Sequence, residues 1–234
     1  MNQFFYSDKI SNDNIILSDE EAYHALKVLR KNQGDKIFVV DGKGGLYETA
    51  LESDNIKKCR LKILDEHKEF EKPNHYIHIA ISPPKNHGRI EWFVEKSVEI
   101  GIQEISFIHS HCSERNNIKL NRIKNRAISS MKQSLRAYLP KINDMINFQD
   151  FINNCNNLEK YVGYLKDDNV KLLSNVSKSE NNYCVLIGPE GDFTLEEIDD
   201  ALDSGFQCIS LGKSRLRTET AGMVACHALN ILNQ

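Results

Sequence analysis

The spacing of hydrophobic and polar positions changes near residue 72. Before that point the apolar residues fall in short runs. Residues 36–41 (KIFVVD) form one, and residues 46–52 (LYETALE) and 59–66 (CRLKILDE) alternate apolar and polar, which puts every second side chain on one face and predicts strands. The DGKGG stretch between the first two is a hairpin signal. One helix interrupts the strands. It starts at Ser18 with Glu21 three residues on, the spacing of a capping box, and runs through AYHALKVLR. The set predicts a small β-barrel-like module whose helix end and following turn carry Lys27, Arg30, Lys31 and Lys36.

After the polar, proline-containing EFEKPN (69–74), strand runs alternate with helical stripes. The strands are HYIHIAIS, EISFIHS, YVGYL, CVLIG and CISLG. Between them lie RIEWFVEKSVEIG, with Ile90, Phe93, Val94 and Val98 on one face and Gly101 at its end, and a basic helix from about Leu120 to Tyr138. A further helix starts at Thr194 with Glu197 completing a second capping box. A last one has a stripe of Ala221, Val224, Ala225, Ala228, Leu229 and Leu232. The reading is an α/β domain over 73–234 behind a small domain over 1–72.

Composition adds boundaries. Of 234 residues 40% are apolar and 27% charged, and no apolar run approaches the length of a membrane span. The start, MNQFFYSDKI, has no basic segment followed by an apolar one, so the expectation is a cytoplasmic protein. Six cysteines form no CxxC pair, and Cys184, Cys208 and Cys226 sit in apolar runs, so they read as small buried hydrophobes. His109, His111 and Cys112 cluster, but nothing else at ligand spacing completes a metal site, and none is expected. The net charge of −3 hides an asymmetry: residues 111–141 hold eight Lys/Arg against Glu114 alone. Phosphate binding needs a local basic face rather than a basic protein, so this run reads either as a nucleic-acid surface or as a solvated helix face.

Two loops follow buried strands near the end of the chain, VLIGPEGDFT (185–194) and ISLGKSRLRTETA (209–221). Loops beyond the carboxyl ends of strands in an open α/β sheet are where ligands sit. Gly212-Lys213-Ser214 matches the end of a P-loop, but that pattern needs a glycine where Gln207 stands and a loop where CISL reads as a strand. IGPEGD is not GxGxxG. What remains is a pair of loops with small and hydroxyl side chains, suited to reading a small ligand through main-chain groups.

These two segments, in this order, resemble the signature of the ribosomal RNA small-subunit methyltransferase E family of SPOUT (trefoil-knot) methyltransferases. EKSVEIGI (95–102), MKQSLRAYLP (131–140), HALKVLRKNQGD and the DGKGG turn resemble further family segments, so the likeness spans nearly the whole chain. The resemblance implies an α/β trefoil-knot methyltransferase domain preceded by a PUA-like RNA-binding domain. It implies S-adenosyl-L-methionine held in the knot, a homodimer, and methylation of N3 of one uridine in 16S rRNA within the assembled small subunit. Two other readings stay open: a SPOUT methyltransferase for another RNA base, and a non-catalytic RNA-binding ribosome-assembly factor.

The resemblance carries roles onto residues. Leu165, Ile187, Gly188, Pro189, Glu190, Gly191, Leu211, Gly212, Leu216, Arg217, Thr218, Glu219 and Thr220 would bind the cofactor, with Gly188 and Gly191 admitting close backbone approach and Glu190 placing negative charge near the sulfonium. Arg217 and Glu219 are the catalytic candidates. Arg217 would hold an anionic oxygen of the uracil or a phosphate, or else pair with Glu219. Glu219 would act as a base, or simply sit where the first turn of a helix favours a carboxylate. Lys27, Arg30, Arg115, Gln133 and Arg136 are the candidate RNA contacts. The family has glycine where this chain has Leu135, which puts the local loop geometry in question.

Overall fold

The computed structural model describes residues 3–165 and 170–234. The chain divides into two units, one running to Lys72 and taking in Ile128–Leu139, the other formed by Pro73–Ala127 and Pro140–Gln234.

In the first unit β1 (Phe4–Tyr6), β2 (Asn14–Ile16), β3 (Lys36–Val40), β4 (Leu46–Ser53) and β5 (Arg60–His67) form a five-stranded sheet in the order β1-β3-β4-β5-β2. The alternation seen in sequence is used as expected: Ile37, Val39, Tyr47, Leu51 and Leu61 face a core that also takes in Phe5, Ile15 and Leu17. Thr49 sits in that core only because its hydroxyl donates to Ile37 O at 2.7 Å. The three-residue strands β1 and β2 escaped the sequence reading, being too short to show a period.

Helix α1 (Asp19–Tyr23) starts where expected, Ser18 Oγ accepting from Glu21 N at 3.3 Å, but the capping box is only half made. The Glu21 carboxylate instead pairs with Lys132 and accepts from Tyr6 N. Beyond Tyr23 the helix widens into a π turn over His24–Val28. The segment 128–139 closes this unit: Gly44 N donates to Ala137 O at 3.0 Å, and Lys43 bridges Tyr138.

In the second unit β6 (Tyr76–Ile81), β7 (Glu104–His109), β8 (Lys141–Asn147), β9 (Glu159–Gly163), β10 (Asn182–Ile187) and β11 (Gln207–Ile209) form a parallel sheet in the order β11-β9-β10-β6-β7-β8. The central strands β6 and β10 are covered on both faces, and so read as continuous apolar runs rather than alternating ones. Helices α2 (His87–Ile100), α3 (Leu120–Gln133), α4 (Phe148–Asn154), α5 (Leu173–Val176), α6 (Leu195–Asp203) and α7 (Thr218–Leu232) complete the chain, α3 running on into the first unit. One core joins Phe148, Phe151, Phe193, Ile198 and Phe206 to Cys184, Leu186 and Val162 of the sheet.

On α2 the predicted face of Ile90, Phe93, Val94 and Val98 is buried, and Gly101 ends the helix at φ +117°. On α7 the buried face is Gly222, Ala225, Cys226, Leu229 and Asn230, so the predicted stripe is shifted by about one residue. The reason lies at Gly222, where a Cβ would come within 2.6 Å of the Phe93 ring and 3.2 Å of Ile81. The two helices approach more closely than any larger residue permits. The basic helix α3 stops at Gln133 rather than Tyr138, because Leu135 takes φ +58°, the left-handed region that glycine enters without strain. The departure from the family glycine thus falls at a position whose backbone favours one.

A buried polar network lies at the amino ends of β6, β7 and β8. Glu104 accepts from Tyr76 Oη and Lys141 Nζ, both at 2.8 Å, and from Asn143 Nδ2 at 2.6 Å, while His78 Nε2 lies 2.8 Å from Ser106 Oγ. Burial holds the His78 imidazole below its ordinary pKa. At Glu104 burial works upward, but His78, Lys141, Asn143 and Tyr76 outweigh it and hold the carboxyl low. At pH 7 Lys141 is the standing cation of this group. The unfolded chain therefore takes up a proton at His78 below about pH 6.5 that the folded chain refuses, so stability is present above that pH and falls as pH drops. Glu104 adds a loss only at lower pH, since its folded pKa lies under the ordinary carboxylate value. The expected result is a melting temperature that falls between pH 7.5 and 5.5 and falls less in His78→Gln. Equal slopes in calorimetric melts of the two proteins would contradict it.

Candidate functional site

Strand β10 ends at Ile187 and the chain turns through Gly188–Asp192. The turn closes by Asp192 N donating to Pro189 O at 3.0 Å, with Asp192 at φ +67° and its carboxylate accepting from Phe193 N at 2.9 Å. The predicted capping box then starts α6: Thr194 Oγ1 accepts from Glu197 N and the Glu197 carboxylate from Thr194 N. Twenty residues on, the turn after β11 is closed around Gly212. Ser210 Oγ contacts Gly212 N and Gly212 O at 3.1 Å each, and Gly212 takes φ +126° with open space where a Cβ would stand. The two loops are tied together at the head of α7, where Thr218 Oγ1 donates to Gly188 O at 3.0 Å.

They enclose a cavity of about 790 Å³ at the carboxyl ends of β9, β10 and β11, within the usual size range of small-ligand sites. Leu165, Ile187, Gly188, Pro189, Glu190, Leu211, Gly212, Leu216, Arg217 and Thr218, all of them residues to which the resemblance assigns the cofactor, line it. Gly191, Glu219 and Thr220 do not. The glycines of the first loop are also packed closely against the protein itself. A Cβ at Gly188 would meet the Phe193 ring at 3.2 Å and one at Gly191 would meet Cys112 at 3.2 Å, so both are small to suit the protein's own packing. The open glycine is Gly212. The side chains thus divide into apolar walls (Leu165, Ile187, Leu211, Leu216), main-chain groups of the loops, and two carboxylates, Glu190 and Asp192, a donor set that fits a ligand with an apolar body, hydrogen-bonding edges and a positive centre.

Among the described residues four cations face the same cavity: Arg89, Lys213, Arg215 and Arg217. Arg217 is exposed and makes no ion pair among the described residues, so the pairing with Glu219 weighed from sequence is not the one formed. Glu219, 6% exposed, faces Arg89 instead. Arg89, Gly163, Tyr164 and the stretch Lys213-Ser214-Arg215 escaped the sequence reading. The last sits between two stretches that were recognised and was findable by continuity. Arg89, a single cation on an amphipathic helix, gave no signal.

An RNA methyltransferase domain family matches residues 71–230, and an RNA methyltransferase PUA domain family matches residues 17–64. The ribosomal RNA small subunit methyltransferase E of Mesomycoplasma hyopneumoniae is 31% identical over 228 residues, covering 95% of this chain and 96% of that one. The chain belongs to the ribosomal RNA small subunit methyltransferase E family. A crystal structure of a probable rRNA methyltransferase from Porphyromonas gingivalis is 38% identical with a TM-score of 0.92, over 99% of this chain and 98% of that one. A member of the same family from Neisseria gonorrhoeae, crystallised with S-adenosyl methionine, is 26% identical with a TM-score of 0.89, over 100% and 98%. The α/β RNA methyltransferase domain following a PUA-like domain, expected from the resemblance, is what is found.

Membership directs attention to the basic residues. In the first unit Lys27 lies in the π turn and Arg30, at φ +56°, just beyond it, both exposed, and Gln133 is exposed at the end of α3 while Arg136 is half-buried in the following loop. In the second unit Arg115 is committed: its guanidinium contacts the His87 ring and donates to Lys85 O. The run 111–141 as a whole is less free than its charge count suggested. Arg122 and Arg126 pair with Glu91 and Glu95, Lys132 with Glu21 and Lys141 with Glu104. Among the described residues no helix is long and apolar enough to cross a membrane, and no group of three or more His, Cys, Asp or Glu is placed to hold a metal ion.

Proposed function

We propose that this protein is the cytoplasmic, homodimeric enzyme that methylates N3 of one uridine of 16S rRNA in the assembled small subunit, with S-adenosyl-L-methionine as donor. The observation that carries the reading is the clasp of the two family loops, Thr218 on Gly188 O, closing a backbone-lined cavity at the carboxyl ends of β9–β11. When bound, the cofactor supplies an electrophilic methyl carbon on a sulfonium. The protein's part is to hold donor and acceptor in line and to favour the charge that develops on the uracil.

The residues divide that work. Leu165, Ile187, Leu211 and Leu216 would exclude water from the donor's apolar body, and the main-chain groups of residues 187–191 and 211–212 would hydrogen-bond its polar edges. Glu190 faces the cavity with its carboxylate partly held, since Lys85 N donates to Oε1 at 3.3 Å, and would favour a positive centre. The imide nitrogen of uracil is a poor nucleophile until its proton leaves, and the charge then spreads onto the flanking oxygens. Arg217, which lines the cavity and has no carboxylate partner among the described residues, would stabilise that oxyanion. Lys27, Arg30, Gln133 and Arg136 would contact the RNA backbone from the first unit.

Thr218→Val removes the clasp without changing side-chain volume much, leaving Gly188 O without its hydroxyl donor. Cofactor affinity by titration calorimetry is expected to fall about fivefold to tenfold, the worth of roughly 1 kcal/mol for one hydrogen bond. Absence of any heat of cofactor binding to the wild-type protein would overturn the enzyme reading and leave that of a silent RNA-binding factor.

A further inference from the structure

Of the four cations that face the cavity among the described residues, Arg89 alone is paired with a carboxylate. It projects from the first turn of α2, and its Nε lies 3.6 Å from Glu219 Oε1 in the first turn of α7. The pair belongs to one helix seam: four residues past Arg89 is Phe93, three past Glu219 is Gly222, and Phe93 and Gly222 are the close approach described above. Glu219 is an expensive anchor. Its side chain is 8% exposed, and Oε2 is buried without a hydrogen-bond partner. The amino end of α7 offsets part of that cost, and the guanidinium beside it offsets more. Arg89, 37% exposed at its side chain, meets Glu219 through Nε. Nη1 and Nη2 make no hydrogen bond among the described residues, and the residue lines the cavity.

A guanidinium held at one nitrogen, with two parallel donors left to a cavity, is the arrangement that grips two oxygens of one anion. The cofactor brings a sulfonium and an ammonium, which Glu190 and Asp192 suit, and one carboxylate, for which the main-chain N–H groups of the loops are donors. The other anion entering such a site is the RNA strand. We propose that Arg89 binds a backbone phosphate of the target strand beside the cavity, and that Glu219 is a positioning residue that acts through Arg89 rather than as a base. The inference rests on the proposed function and assigns its substrate contact. Arg217 is left to the uracil oxyanion, so the two arginines read different parts of one nucleotide.

The test compares wild type with Arg89→Ala, Arg89→Lys and Glu219→Gln, using unmodified small ribosomal subunits as the RNA probe and calorimetry for the cofactor. Arg89→Ala is expected to raise KM for subunits about tenfold to a hundredfold with a smaller effect on kcat. It should also flatten the plot of log affinity against log salt by about one phosphate's worth, a change that loss of packing does not produce. Arg89→Lys should recover the salt slope and only part of the affinity, and Glu219→Gln should fall between wild type and Arg89→Ala. Cofactor affinity should stay within about twofold of wild type in all three, which also shows that each is folded. An unchanged KM and slope in Arg89→Ala would overturn the assignment, and so would a cofactor affinity that falls in step with KM. Wild-type protein that binds cofactor but methylates no subunits would instead fall on the parent reading, and the assignment with it.

Discussion

Arg217→Ala is expected to lower kcat for methyl transfer by about a hundredfold to a thousandfold, the usual cost of removing one donor aimed at a developing oxyanion. Cofactor affinity should change little. Arg217 is exposed, holds no carboxylate and stands one residue before the clasp at Thr218, so its removal leaves both loops closed. Lysine at the same position keeps a charge but loses the planar fork, and should recover only part of the rate. The split between kcat and KM is the informative quantity. Arg217 is assigned to the transition state and Arg89 to ground-state RNA binding, so the two alanine variants should fail in opposite parameters. A rise in KM alone for Arg217→Ala would mean that the roles are exchanged or shared.

Gly222→Val is expected to be the most damaging single change to the fold of the second unit. The first added carbon would already sit 2.6 Å from the Phe93 ring, and Phe93 is fully buried, so the ring has nowhere to turn. Overpacking of this kind costs about 3 kcal/mol, from which the better helix propensity of a non-glycine residue subtracts less than 1 kcal/mol. For a chain of this size that corresponds to a melting temperature roughly 6–10 °C lower. The effect should reach the site as well. Pushing α7 from α2 would part Glu219 from Arg89, so the surviving folded protein should show the raised KM of Arg89→Ala. Gly222→Ala, with one carbon instead of three, should lie between. A valine variant melting with the wild type would show that the helices are not in the contact described.

Much of this was readable from sequence, and what was not has identifiable causes. The buried face of α2, its stop at Gly101 and the start of α6 at Thr194 follow from spacing and capping, which act over three or four residues. Strand β8 was missed because KINDMIN lies half-exposed at the sheet edge and carries no alternation. The two cavity loops were found because each follows a buried strand and contains turn residues. Arg89 and its pairing with Glu219 were not, since the two lie 130 residues apart and only the packing of α7 on α2 joins them. The same blindness inflated the basic run. Four of its eight cations, Arg122, Arg126, Lys132 and Lys141, are answered by Glu91, Glu95, Glu21 and Glu104, carboxylates outside the stretch over which the charge was counted.

One measurement bears most directly on the central claim. Small-subunit RNA from a strain lacking this protein, digested to nucleosides and mapped by mass spectrometry against the parent strain, should lack a single 3-methyluridine. Purified wild-type protein with S-adenosyl-L-methionine should restore it to isolated subunits, and Arg217→Ala protein should not. A 3-methyluridine signal unchanged by the deletion, or the loss of a different methylated nucleoside in its place, would contradict the account.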